Sequence, residues 1–217
     1  MREGILIRSG IPHDSNDFAR LIMLSSPTFL PAVFGTKASD ILKSLFCHRH
    51  NLFSFQHCYF IKVSGRNAGM VLSYDWQTAK RERFKTGLLL LNHMKTQLLT
   101  QLSTLLRTET IMSKVRDGEY YISNLAVYPE YRNLGLGTRL LLKAEDEARK
   151  SGASKAVLDV EADNESAIRL YEKIGYTAVR KVEIKAGKET FKFLRMAKLI
   201  PSMSGSNAAT RRRLVPH

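Results

Sequence analysis

The sequence predicts a single α/β domain. Two strand-helix units support this prediction: an apolar run at residues 120–127 precedes an amphipathic helix at 136–150, and a second run at 156–162 precedes a helix at 163–174. Strands that alternate with helical patterns of this length are typical of α/β folds. The 217 residues, 44% hydrophobic and 25% charged, are enough for one soluble domain with a sizeable core.

The N-terminal part adds further predicted elements. They are, in order, a strand at 4–10, a helix from Asp14 or Ser15 to about Leu24, a helix near 39–48 after the interruptions at Pro27 and Pro31, and a hairpin of strands at 59–63 and 70–76. Strands near 177–185 and 191–198 complete the pattern. We expect the domain to cover residues 1–199 and the Ser-, Asn- and Arg-containing tail at 200–217 to be disordered.

Residues 77–118 form an unusual basic segment between the third and fourth strands. It has eight Lys and Arg against three acidic residues, and apolar residues recur at helical intervals, namely Leu88, Leu91, Leu98, Leu102 and Leu105. We interpret it as a helical insertion of one or two helices. It would serve as a structural flap that completes the core, as a wall of a substrate pocket, or as both.

The loop Arg132-Asn133-Leu134-Gly135-Leu136-Gly137 is the most informative stretch of the chain. It lies between a strand and a helix. The start of a helix carries unpaired backbone N–H groups and a partial positive charge, and glycines let a phosphate approach the backbone closely. Arg132 adds a donor for phosphate oxygens. The loop therefore predicts a pocket for a phosphate-bearing ligand, although two glycines before a helix are also compatible with an ordinary turn.

A dinucleotide-binding unit is the sharper alternative for this loop. Asp159 follows the glycines at roughly the spacing of a ribose-binding acid, about twenty residues. However, the third glycine position holds Leu140, and the loop at 128–134 is too long for a tight first turn. Both features argue against NAD as the ligand of this loop.

Charge and cysteine content limit the function classes. The net charge of +14 suits nucleic acid, an anionic membrane or a ligand with several phosphates. The charge is dispersed apart from Arg211 to Arg213, and no nucleic-acid-binding motif is present. Cys47 and Cys58 form neither a disulfide framework nor a metal pattern, so we predict core thiols, no metal and a reducing compartment. Without a signal peptide or a long apolar run, the protein is predicted to be cytoplasmic, without membrane association; a homodimer is compatible with the sequence.

Two segments resemble the GCN5-related N-acetyltransferase (GNAT) family. Residues 122–141 are similar to its acetyl-CoA signature, and residues 158–176 to the motif that follows. Together they span about 55 residues, from 122 to 176, in the right order and spacing. The resemblance implies a GNAT-like mixed, twisted sheet of six or seven strands flanked by helices, with the helical insertion after the third strand, and acetyl-CoA as cosubstrate.

The resemblance also implies which residues bind the cosubstrate. Residues 132–138, which are Arg132, Asn133, Leu134, Gly135, Leu136, Gly137 and Thr138, would hold the pyrophosphate. In the family, the strand before this loop separates from its neighbour and pairs with the pantetheine arm. The backbones of Leu125, Ala126 and Val127 match that strand, and Asn164 matches an asparagine that contacts the arm.

Tyr171 is the expected general acid. It lies seven residues after Asn164, so the two share a helix face about 10 Å apart along the axis. The matching family tyrosine donates its phenolic hydrogen to the leaving thiolate. Apart from the resemblance, Asn164 could simply cap its helix and Tyr171 could be a core aromatic residue.

The general base is less defined. Tyr121 and Ser123 occupy the fourth-strand positions where many family members have Glu or His, and neither is a good base near neutral pH. Some relatives that acetylate protein N-termini use a fifth-strand Glu, and Asp159 matches it. Glu161 lies on the same strand face. Either carboxylate could act through water or only bind a cationic amine.

These observations predict an N-acetyltransferase that moves an acetyl group from acetyl-CoA to a primary amine by direct attack. The first alternative is a catalytically silent CoA-binding or regulatory module with the same fold. The second is a basic nucleic-acid-binding protein, which the absence of a recognition motif disfavours.

Overall fold

Seven strands form one mixed sheet with helices on both faces. The computed structural model describes residues 4–93, 115–186 and 189–201. The elements are β1 (Ile5–Ser9), α1 (Ser15–Ser25), α2 (Phe29–Phe34), α3 (Ala38–Cys47), β2 (Cys58–Val63), β3 (Arg66–Asp75), α4 (Trp76–His93), β4 (Glu119–Val127), α5 (Leu136–Lys150), β5 (Lys155–Glu161), α6 (Glu165–Lys173), β6 (Thr177–Ala186) and β7 (Glu189–Leu199). The sheet order is β1-β2-β3-β4-β5-β7-β6. This confirms the predicted fold class.

The strand directions follow from the connections. β1 to β4 are joined as antiparallel neighbours, and β7 pairs antiparallel with both β5 and β6. The β4–β5 pair is parallel. A parallel pair requires a crossover, which α5 provides. The helix buries an apolar stripe against the sheet that includes Leu140, Leu141, Ala144 and Ala148.

Each face of the sheet has its own core. On one face, α1, α2 and α3 pack against the strands, and the Phe18 and Phe46 rings stack at 4.2 Å between centroids. On the other, residues of α5 and α6 such as Leu140 and Tyr171 pack against Leu158 and neighbouring strand residues. Burial of apolar area on both faces holds the strands in place.

The sheet splits between β4 and β5. The two strands pair only over residues 119–122 and 155–158, although β4 continues to Val127 and β5 to Glu161. On the other side of β4, pairing with β3 shifts register between Leu72 and Ser73, which leaves Ser123 as an extra, bulged residue. A bulge bends a strand and increases its twist. β4 therefore turns away from β5 and opens a gap in the middle of the sheet.

Helix α4 forms the first part of the predicted insertion. The buried Glu82 and Thr86 attach it to the preceding chain, since Glu82 Oε2 lies 2.7 Å from His57 Nε2 and Thr86 Oγ1 accepts the N–H of Leu52. Leu88 and Leu91 are half exposed, contrary to their place in the apolar pattern. Residues 94–114 of the insertion, with Leu98, Leu102 and Leu105, lie outside the described residues, as does the predicted tail from 202 onward.

Two local predictions were wrong. Helix α2 was missed because Pro31 suggested an interruption, but Pro31 lies in the first turn, where a missing N–H costs no helical hydrogen bond. Cys47 is exposed at the end of α3, whereas Cys58 is buried as predicted.

Within the described ranges, no single helix is long and apolar enough to cross a membrane. One bent pair of segments, Pro12–Ser25 and Phe29–Cys47, passes the test by length and composition only.

Candidate active site

A cavity of about 920 Å³ occupies the gap between β4 and β5, and we call it the cleft. The loop before α5 lines it, and so do the α1–α2 region and α4. All of the predicted cosubstrate-binding residues except Leu134 line the cleft, and so do Tyr171 and Asp159. The structure thus brings together residues that the two sequence motifs place about 30 positions apart.

The loop before α5 presents backbone donors to the cleft. The first intrahelical bond runs from the Arg139 N–H to the Gly135 carbonyl, so the N–H groups of Leu136, Gly137 and Thr138 have no helical acceptor. No side chain of the described chain caps this end. Gly135 has φ +71°, a conformation that glycine adopts without strain. The exposed N–H groups, the helix dipole and Arg132 together suit a phosphate.

Gly137 has a different role from Gly135. Its backbone is ordinary helix, but a Cβ at this position would come within 3.2 Å of Leu170 Cδ2 and 3.8 Å of Leu125 Cδ2. Both leucines line the cleft. A hydrogen at this position keeps the cleft open between the two leucines, next to the unpaired N–H groups.

The open edge of β4 connects this loop to the middle of the sheet. Beyond Ile122, its backbone groups on the β5 side pair with no strand of the described chain. The side chains of Leu125 and Val127 pack into the core, and Ala126 is buried on the opposite face. The free backbone groups of this segment can pair with an extended ligand as an added strand would.

Tyr171 lies on α6 with its ring buried and borders the cleft. Its hydroxyl makes no hydrogen bond to any residue in the part of the chain that the structure describes. Burial raises the pKa of Tyr171 to about 12. The phenol is therefore neutral at physiological pH and is available as a hydrogen donor.

Asn164 caps α6. Its Oδ1 accepts hydrogen bonds from the Ala167 N–H at 3.2 Å and from Ser166 Oγ at 3.1 Å. Asn164 also borders the cleft, where its Nδ2 hydrogens are left for a ligand. The capping interpretation is therefore correct, and it leaves room for a ligand contact.

Asp159 is held in a buried ion pair. Arg195 donates from Nε to Oδ1 at 2.9 Å and from NH2 to Oδ2 at 2.7 Å, and the Tyr121 hydroxyl donates to Oδ2 at 3.1 Å. The Asp159 and Arg195 side chains are only 2% and 8% exposed. Burial lowers the pKa of Arg195, but the hydrogen bonds and charge of Asp159 outweigh it and raise that pKa. Hydrogen-bond donors therefore occupy both carboxylate oxygens of Asp159.

No pattern in the sequence indicates that Arg195 belongs to the site. It lies 36 residues from Asp159, and the two meet because β5 and β7 pair with these residues directly opposite each other. Only knowledge of that register could have identified the pair.

Glu161 is the second carboxylate of β5 that borders the cleft. Its Oε1 accepts a 2.5 Å hydrogen bond from the hydroxyl of Ser26, which lies between α1 and α2. In the sheet it lies opposite Phe193. In the described residues this carboxylate has no Lys or Arg within ion-pair distance.

No group of three or more His, Cys, Asp or Glu side chains in the described ranges is arranged to hold a metal ion.

Comparison with known proteins identifies the family of this chain. Residues 23–176 match the model of the acetyltransferase (GNAT) family. N-alpha-acetyltransferase 30 of Schizosaccharomyces pombe is 37% identical over 62 residues, which is 29% of this chain and 41% of that protein. The [ribosomal protein bS18]-alanine N-acetyltransferase of Escherichia coli is 43% identical over 58 residues, 27% of this chain and 39% of that protein. The chain thus matches about two fifths of the length of these relatives.

Solved structures show the same fold. The N-acetyltransferase from Staphylococcus aureus Mu50 superposes with a TM-score of 0.66 and 23% identity over 89% of this chain and 100% of that one. The ribosomal-protein-S18-alanine N-acetyltransferase from Escherichia coli gives a TM-score of 0.55 and 19% identity over 94% of this chain and 98% of that one. The split sheet, the glycine loop and the family match agree, and the chain belongs to the acetyltransferase (GNAT) family.

Proposed function

We propose that the protein transfers an acetyl group from acetyl-CoA to a primary amine. The observation that supports this most is the combination of three features in one cleft. The unpaired N–H groups before α5, the open edge of β4 and Tyr171 all border it. A molecule with a pyrophosphate, an extended amide-bearing arm and a reactive end has a part for each of these three features.

In the proposed reaction, the neutral amine nitrogen attacks the thioester carbonyl carbon. A C–N bond forms and the C–S bond breaks, and the Tyr171 hydroxyl gives its proton to the departing thiolate. The nitrogen loses one proton to water as it becomes the amide nitrogen, and the Tyr171 phenolate takes one proton back from water. The amide N–H of Asn164 and the backbone of residues 125–127 hold the arm, so that the carbonyl carbon lies near the amine. Because its pKa is about 12, Tyr171 holds the proton until the thiolate forms.

Asp159 does not suit the role of general base. Its carboxylate already accepts three hydrogen bonds, and two of these come from a cation. We therefore propose that Asp159 holds Arg195 and Tyr121 in position instead of accepting the proton of the amine. The same ion pair favours the silent CoA-binding module as the second candidate, since the position that some relatives use as base is blocked. The cytoplasmic location stays a prediction from the sequence.

Acetyl-CoA should stabilise the protein against thermal unfolding. At 100 times its dissociation constant, a ligand of the folded state adds about 2.7 kcal/mol to the free energy of unfolding. We expect a clear rise in Tm with acetyl-CoA or CoA and none with NAD. A rise with NAD alone would instead support the dinucleotide interpretation of the loop.

Gly137→Val should abolish this shift. The valine would press on Leu170 and Leu125 and fill the space beside the N–H groups that bind the pyrophosphate. Leu134→Ala is the matched control, because Leu134 belongs to the same loop but is 53% exposed and does not line the cleft. A folded Gly137→Val variant that keeps the full shift would show that the phosphate binds elsewhere.

A further inference from the structure

Apolar side chains make up much of the rest of the cleft lining, and we call them the wall. They come from α2, from the chain before β2, from α4 and from β7, and they include Phe29, Val33, Phe34, Phe53, Leu90 and Phe193. Two polar residues of α4, Arg83 and Thr86, also line the cleft. The rings of Phe29 and Phe193 meet edge to face at 5.3 Å between centroids. The α2 residues are buried in the core and still border an open space. An apolar ligand body would find favourable contacts there.

One carboxylate stands at the edge of this wall. Glu161 faces the cleft from β5, and its sheet neighbour Phe193 belongs to the wall itself. The Ser26 hydroxyl donates a hydrogen bond to one carboxylate oxygen and leaves the other oxygen available to a ligand. Asp159, about 7 Å further back on the same strand face, is neutralised by Arg195. Glu161 therefore provides the negative charge that a cationic amine would meet beside the apolar wall.

Gly87 borders open space beside α4. It lies inside a helix of 18 residues, where glycine is less stable than alanine, and it borders the cleft. A Cβ built on it meets no atom within 4 Å. Packing against the described residues thus does not require a glycine here, whereas a ligand body at this wall would benefit from the room.

We propose that the acceptor is a small primary amine on an apolar body, aromatic or alkyl, with its ammonium group against Glu161 and its carbon body against the aromatic wall. This rests on the proposed acetyl transfer and specifies its substrate class. A peptide N-terminus fits less well, because its next amide groups would enter a lining of apolar side chains and lose their hydrogen bonds.

Glu161 would also take the proton that the ammonium must lose. A first proton moves from the ammonium nitrogen to the unoccupied carboxylate oxygen, and the neutral amine then attacks the thioester. Once the C–N bond has formed, the nitrogen gives up a second proton to water, and the Tyr171 hydroxyl protonates the departing thiolate. After the product departs, Glu161 releases its proton to water and the Tyr171 phenolate takes one back, so that one proton reaches the sulfur and one is released to solvent.

The substrate class is tested by measuring thiol release from acetyl-CoA with four amines: 2-phenylethylamine, octylamine, spermidine and a short peptide with N-terminal leucine. We expect kcat/KM for the two apolar amines to exceed that for spermidine and the peptide roughly tenfold to hundredfold, as burial of a phenyl or alkyl body predicts. Equal or faster turnover of spermidine or the peptide would overturn the inference.

Two pairs of variants locate the site. Gly87→Leu should raise KM for 2-phenylethylamine at least tenfold by filling the cleft, whereas Gly87→Ala should change it little. Glu161→Gln should raise KM and lower kcat for the same amine, whereas Glu172→Gln, on an exposed face of α6, should not. All four should keep the acetyl-CoA shift in Tm.

The results of these experiments distinguish failure of the proposed acetyl transfer from failure of the proposed acceptor site. If acetyl-CoA produces no shift and no amine is acetylated, the proposed function fails and the inference fails with it. If acetyl-CoA binds and amines are acetylated, but Gly87→Leu and Glu161→Gln behave as their controls do, only the acceptor site is wrong.

Discussion

Replacing Tyr171 by phenylalanine should lower kcat by roughly 10²–10⁴-fold, the range for loss of a positioned acid. The buried ring remains, so packing changes little and only the hydroxyl at the cleft is lost. Because a group that acts mainly in the transition state affects kcat and kcat/KM alike, both should fall together. Acetyl-CoA binding, measured by its thermal shift, should stay within a few fold of that of the unmodified protein.

Tyr176→Phe is the matched control. Tyr176 lies near Tyr171, with 6.1 Å between ring centroids, and is also buried, but it does not line the cleft. Its loss of a hydroxyl should leave turnover near normal. If Tyr171→Phe also turned over normally with an acceptor that is used well, the tyrosine would have no part in the proton transfer.

Arg195→Met should destabilise the fold by about 3–5 kcal/mol, the cost of leaving one member of a buried ion pair without its partner. The Asp159 carboxylate would keep only the Tyr121 hydroxyl, in a site where its side chain is 2% exposed. The change should appear as a lower urea midpoint with an unchanged m value.

The double variant Asp159→Asn with Arg195→Met should recover much of this loss, because it removes both charges. Arg180→Met is the control for a β-strand arginine: Arg180 lies opposite Arg195 in the sheet but is exposed, so its loss should change stability by no more than about 0.5 kcal/mol. If Arg195→Met were as stable as Arg180→Met, Asp159 would not depend on the ion pair and would again qualify as a base.

Much of the fold, and the grouping of the candidate site residues around one cleft, could be predicted because their signals are local in sequence. The order of strand, glycine loop and helix at 120–150 is contiguous, and the loop conformation depends on Gly135 itself. The same holds for Asn164 and Tyr171, which one short helix places on the same side of the cleft.

The acceptor side could not be predicted because it depends on pairs distant in sequence. Ser26 meets Glu161 across 135 residues, and Arg195 meets Asp159 through the β5–β7 register. A carboxylate in a strand looks the same in sequence whether a cation neutralises it or not. Strand pairing therefore distinguishes the surroundings of Asp159, which Arg195 neutralises, from those of Glu161, a difference that the sequence does not show.

The central claim is tested most directly by turnover of the unmodified protein with acetyl-CoA and 2-phenylethylamine, with thiol release and the acetylated amine quantified together. We expect release that depends on the amine and forms acetylated amine in equal molar amount. The contradicting result would be a thermal shift that shows binding of acetyl-CoA, together with no thiol release with any of the four amines. That result would speak against an enzymatic role and support a silent CoA-binding module.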